Sequence, residues 1–221
     1  MKRLILCAAL VLATFASANA QFGVIGGWTS SKAHIDGNWK PDVKSMSLYH
    51  VGVAYKIKIG PLLAVQPELS YQLKGGNLKG DALNLSSRGG YVELGLGMQL
   101  GLDLLLVRPF FVFQPFLGYQ VYGNEDVSAP FYYAPVDNPN GPSGVSYGSK
   151  ELTLAKNKFE GGFGIGGGLE LMNHFQITVQ WFKNIGQLYD GNKVDATVFE
   201  WSGIKDIKNY SGVKITLGMF F

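Results

Sequence analysis

Between residue 22 and the final residue, hydrophobic side chains recur at every second position in eight separate stretches. Residues two apart share one face of a strand, whereas a helix brings together residues three and four apart. A helical bundle is therefore excluded, and each stretch reads as a strand with two unlike faces. The second stretch sets Tyr49, Val51, Val53, Tyr55, Ile57 and Ile59 against His50, Gly52, Ala54, Lys56 and Lys58. The third sets Val65, Pro67, Leu69 and Tyr71 against Gln66, Glu68, Ser70 and Gln72. The fourth sets Val92, Leu94, Leu96, Met98 and Leu100 against Glu93, Gly95, Gly97 and Gln99. In the sixth, Phe159, Phe163, Ile165, Leu169 and Leu171 oppose Glu160, glycines and Glu170; the seventh and last, starting near Phe175 and Val213, follow the same rule. Stretches 22–29 and 107–122 alternate less cleanly but are strand-like in composition.

The connections alternate as well. Short links fall near Gly60-Pro61, Asp103 and Asn173-His174, and long ones span about 30–46, 75–87, 123–157 and 186–208. Tight turns at one rim and long loops at the other, joining strands of about ten residues, are the pattern of a transmembrane β-barrel. The expected fold is all-β: an eight-stranded antiparallel up-and-down transmembrane barrel. An interior of that size is just wide enough for side chains to fill, which suits the face made of glycines, Lys56, Glu68, Glu93, Arg108, Glu160 and Lys214. The bulky apolar face then meets lipid. Lys56, Glu68, Glu93 and Lys214 fall near mid-height and are expected to form a mutually satisfied interior charge network, because unpaired charges there would be costly. Trp28, Tyr49, Tyr71, Tyr119, Phe159 and Trp181 land at the loop end of the outward face, and Phe22, Phe111, Phe175 and Phe221 at the turn end. Two aromatic girdles at the two water–lipid boundaries are favoured in that arrangement. A soluble lipocalin-like lipid carrier in the periplasm is the alternative, with the two faces exchanged.

Residues 1–20 read as an export signal: Lys2-Arg3, an apolar run from Leu4 to Phe15, then Ala18-Asn19-Ala20 as a small-x-small cleavage site. Residues 21–221 are then the barrel domain. The single cysteine, Cys7, leaves with the signal, so packing and hydrogen bonding must hold the mature chain without disulfides. Its charge is nearly balanced, with 17 basic against 16 acidic residues, and no basic face for nucleic acid is evident.

Chemical motifs are few. Gly162-Phe163-Gly164-Ile165-Gly166-Gly167 contains G-x-G-x-x-G, but the period-two pattern continues to Leu171 where a dinucleotide site requires a helix. His34, His50 and His174 lie in a loop, at a strand's outer end and in a turn of the opposite rim, so they do not converge on a metal. Ser47 and His50 are the candidate nucleophile and base for an enzyme acting on lipid A, a less favoured alternative. No cofactor is expected. The 123–157 segment carries Pro130, Pro135, Pro139 and Pro142, which exclude regular helix or central strand. Phe131, Tyr132, Tyr133 and Tyr147 stand around them as candidate contacts, being residue types that anchor protein and sugar partners. Glu125, Asp126 and Asp137 match no EF-hand spacing.

The terminal Phe221, with apolar residues at alternate positions before it, resembles the assembly signal read by barrel-assembly machinery. Phe22-Gly23-Val24-Ile25-Gly26-Gly27, Tyr49-His50-Val51-Gly52-Val53, Val65-Gln66-Pro67-Glu68-Leu69-Ser70-Tyr71 and Val107-Arg108-Pro109-Phe110 together resemble the PorT-like outer-membrane β-barrel family, small OmpA-like barrels of Gram-negative bacteria. That resemblance implies an outer-membrane location among lipid. It also implies a non-enzymatic structural, secretion-associated or surface-interaction role, with envelope or secretion proteins or glycans met through the loops.

Overall fold

Strict alternation produces strands, and eight of them close on themselves. The computed structural model describes residues 20–35, 42–79, 84–132, 145–149, 158–185 and 207–221. Its strands are β1 (Ala20–Ile35), β2 (Asp42–Ile59), β3 (Leu63–Lys79), β4 (Asn84–Gly101), β5 (Val107–Tyr132), β6 (Val145–Ser149), β7 (Phe159–Leu171), β8 (Phe175–Ile185) and β9 (Ile207–Phe220). All pairings are antiparallel in the order β4-β3-β2-β1-β9-β8-β7-β5, and β4 pairs with β5 to complete the circle. The short β6 stands outside that circle, added to the upper end of β5. No helix occurs among the described residues. An even number of wall strands returns the chain to its starting rim, where the Phe221 N–H donates to the Phe22 carbonyl at 2.8 Å.

The short links fall where the pattern puts them, at residues 60–62, 102–106 and 172–174. Met172 and Asn173 both have positive φ (54° and 61°) and the His174 N–H donates to the Leu171 carbonyl at 3.0 Å, a type I′ turn whose twist matches its strands. At the opposite rim the strands run further than alternation alone indicates. β1 continues to Ile35, β2 starts at Asp42, and β3 and β4 pair as far as Lys79↔Asn84. Much of the expected 123–157 loop is sheet: β5 pairs with β4 up to Ser128↔Asn84, then with β6 from Ser128↔Ser149 to Tyr132↔Val145. Pro130 pairs with β6 alone, beyond the end of β4, an edge position that tolerates a residue without an N–H. Above the lipid both faces of a strand meet water, so the apolar–polar contrast that marks strands in the sequence vanishes there. The expected export signal lies outside the described residues, apart from Ala20 at the start of β1.

The apolar face is outside. Leu69, Leu94 and Leu117 are 50%, 59% and 69% exposed and lie side by side on β3, β4 and β5. Trp28 is paired with Tyr49, and Tyr119 packs edge-on against Phe159 with ring centroids 4.9 Å apart. The interior is correspondingly tight. At Gly166 an added Cβ would run into the backbone carbonyl of Val179, so this glycine allows close approach within the wall, and the G-x-G-x-x-G stretch is strand throughout.

Candidate functional site

The barrel interior is built in layers from the turn end upward. Near the turn end Phe220 is fully buried, with the Lys56 ammonium 3.7 Å from its ring centroid. Glu170 of β7 then gathers three cations: Lys56 at 3.2 Å, Lys58 at 3.1 Å and Arg108 at 3.3 Å. Arg108 also donates to Gln99 at 3.0 Å and reaches Asp103 at 3.4 Å. The middle layer is mostly neutral. Gln99 donates to Gln66, and Glu68 accepts from Gln66 at 2.7 Å and from Gln114 at 2.6 Å. The oxygen of Gln114 accepts from Lys214 at 3.2 Å. His50 bridges the Thr29 and Thr216 hydroxyls at 2.9 and 3.0 Å.

The upper layer centres on Lys74. Its ammonium donates to Glu93 and Glu160, each at 2.5 Å, while Gln72 supports Glu93 and Asn184 supports Glu160. Phe116 and Phe182 flank it, with ring centroids 4.4 and 5.3 Å away. Between the upper and middle layers lies a cavity of about 10 Å³ bordered by Gln72, Lys74, Glu93, Gln114 and Lys214, room for about one water. The column is packed with paired charges and amides from rim to rim.

Lys56, Glu68, Glu93 and Lys214 all face this column, but none pairs directly with another. Lys56 serves Glu170, Glu93 serves Lys74, and Glu68 and Lys214 are joined only through Gln114. The strand pattern alone does not single out Lys74, because its strand extends past the Gln72 where alternation is clear. Its even position, continuing 66, 68, 70 and 72, is the signal that would have found it. Glu170 is on the inward face in the pattern, yet its role as the shared anion depends on which strands are neighbours.

At the loop rim, Phe131 and Tyr132 end β5 opposite Ser146 and Val145, and Tyr147 of β6 lies opposite Pro130. Tyr133 and Asp137 are outside the described residues. Glu125 and Asp126 are strand positions paired with Ser87 and Ser86. No cluster suited to a metal occurs among the described residues. Ser47 is exposed beside Ser30, whereas His50 is buried in the column, so the two lie on opposite faces of β2 and form no catalytic pair. His34 is paired with Asn209 in the β1–β9 ladder, and His174 sits in the β7–β8 turn.

An apolar outer band between aromatic rims, around a core of paired charges, defines a transmembrane β-barrel. A soluble carrier would need the faces exchanged. The sequence matches the outer membrane protein beta-barrel domain family over residues 15–188, and the chain belongs to that family. It is thus a Gram-negative-type outer-membrane protein. Among solved structures, it is 12% identical to the Neisserial surface protein A, with a TM-score of 0.43, covering 92% of this chain and 100% of that one. Ail, the attachment invasion locus protein of Yersinia pestis, solved with the heparin analogue sucrose octasulfate, gives 12% identity and a TM-score of 0.42 over 92% and 100%. OprG from Pseudomonas aeruginosa gives 10% and 0.42 over 92% and 96%. No curated protein matches the sequence.

Proposed function

We propose that this barrel is a non-enzymatic, plugged scaffold whose role is to present its loop-end extension to partners at the cell surface. The filled interior column carries the reading: a wall of this size, with ion pairs in its lower and upper layers and an amide network between them, offers no solute path. What remains for function is the surface beyond the lipid, where β5 and β6 raise a hairpin bearing Phe131, Tyr132 and Tyr147. The narrower PorT-like reading, with secretion or envelope proteins or glycans as partners and the barrel-assembly machinery reading the terminal Phe221, rests on the strand phrases and is part of this proposal.

The test pairs two measurements on the full chain. In planar bilayers the refolded protein gives no stepwise conductance. In cells, a photo-crosslinking residue at Tyr147 captures a protein or glycan adduct that one at Leu94 does not. Open-channel steps, or identical adducts at both positions, overturn the proposal.

A further inference from the structure

Three adjacent wall strands, β8, β9 and β1, contain no acidic residue along Phe175–Ile185, Ile207–Phe220 or Ala20–Ile35. Among the described residues the carboxylates lie on other strands and turns, Glu68, Glu93, Asp103, Glu160 and Glu170 among them. On the outer face of this sector and of the neighbouring β2 the side chains fall into register rows. One register row holds Tyr49, Trp28, Ile215 and Val179; the next towards the loops holds Ser47, Ser30, Val213 and Trp181. The row above joins Lys32, Ser211 and Lys183. Lys32 is exposed and Lys183 half-buried, and among the described residues neither has a hydrogen bond or ion pair. Two interstrand spacings put their backbones about 10 Å apart.

Along β1, Trp28, Ser30 and Lys32 follow one another on the outer face, ring then hydroxyl then ammonium, the order in which a lipid's acyl boundary, sugar hydroxyls and phosphates would be met on leaving the bilayer, and on β8 Lys183 follows Trp181. From this order we infer that Lys32 and Lys183 form a site for the phosphates of a phosphorylated glycolipid headgroup in the outer leaflet, with Ser30 and Ser47 placed for its sugar hydroxyls. Ammonium groups bind phosphate as point charges, and among the described residues no carboxylate is paired with either one. The inference rests on the reading above that the loop rim faces outward.

Refolded full-length protein is incubated with diphosphorylated lipid A, its dephosphorylated form, or phosphatidylglycerol, and bound lipid is counted by native mass spectrometry. Wild type and Arg88→Ala, a control on β4 across the barrel, retain diphosphorylated lipid A. The Lys32→Ala/Lys183→Ala and Lys32→Gln/Lys183→Gln variants retain about tenfold less, as loss of two charge-assisted contacts implies, with the unboiled gel mobility of every variant unchanged. Equal retention by all variants, equal retention of the dephosphorylated lipid, or equal competition by phosphatidylglycerol overturns the site. A cysteine placed at the exposed Ser45 of β2 and treated on intact cells with a membrane-impermeant maleimide separately tests orientation: absence of labelling sinks the outward-facing reading even where phosphate binding persists.

Discussion

Replacing Lys74 with methionine tests the energetics of the interior column. The ammonium is 1% exposed and serves Glu93 and Glu160, each at 2.5 Å, so the two accepting oxygens are at most about 5 Å apart. Without the cation, two like charges at that separation repel by about 3 kcal/mol at an effective dielectric of about 20. Breaking a buried pair by removing one partner typically costs about 3–5 kcal/mol. The two figures describe the same loss from two directions, and they agree on a destabilisation of about 3–5 kcal/mol. Measured by urea titration of protein folded into lipid vesicles, with the unboiled gel shift as readout, a slope of about 2 kcal/mol per molar converts this to a midpoint lowered by about 2 M. Adding Glu93→Gln and Glu160→Gln to Lys74→Met restores most of it, because the uncompensated charges are then gone. A single variant that loses under about 1 kcal/mol, or a triple variant no more stable than the single, refutes this account of the column.

Leu94→Arg, at a position 59% exposed, would be nearly harmless on a water-soluble surface, but here it should cost about 2–4 kcal/mol in the same vesicle titration. His50→Ala leaves the Thr29 and Thr216 hydroxyls without their shared partner and should destabilise by about 1–3 kcal/mol, while neither it nor Ser47→Ala alters the lipid A profile of the cells, read by mass spectrometry. Gly166→Ala pushes a methyl into the Val179 carbonyl and should cost about 1–3 kcal/mol, whereas the outward Leu169→Ala should leave the barrel folded.

The wall was legible because lipid on one side and packed polar groups on the other force a contrast at every second residue, from Tyr49 through Ile59 and from Val92 through Leu100. The turns were legible through Gly60-Pro61 and Asn173-His174. The upper sheet was not, since the sequence around Ser86, Ser87 and Asp126 carries no apolar–polar alternation to mark a strand. The interior partners were hidden for a different reason. Whether Lys56 meets Glu93 or Glu170 is decided by strand order and stagger, and β2 reaches β7 only across the closed barrel, at a separation of more than a hundred residues that no local pattern records. Lys74 combines both difficulties: it follows the last clear alternation of β3, and its acceptors come from β4 and β7.

The central claim is that the apolar face meets lipid. It is tested by placing one tryptophan at Leu94, with Trp28, Trp39, Trp181 and Trp201 replaced by phenylalanine, and measuring its fluorescence in vesicles. The account predicts strong quenching by lipids brominated deep in their acyl chains and almost none by aqueous iodide. Quenching by iodide with no response to the brominated lipids would place that face in water and contradict the account.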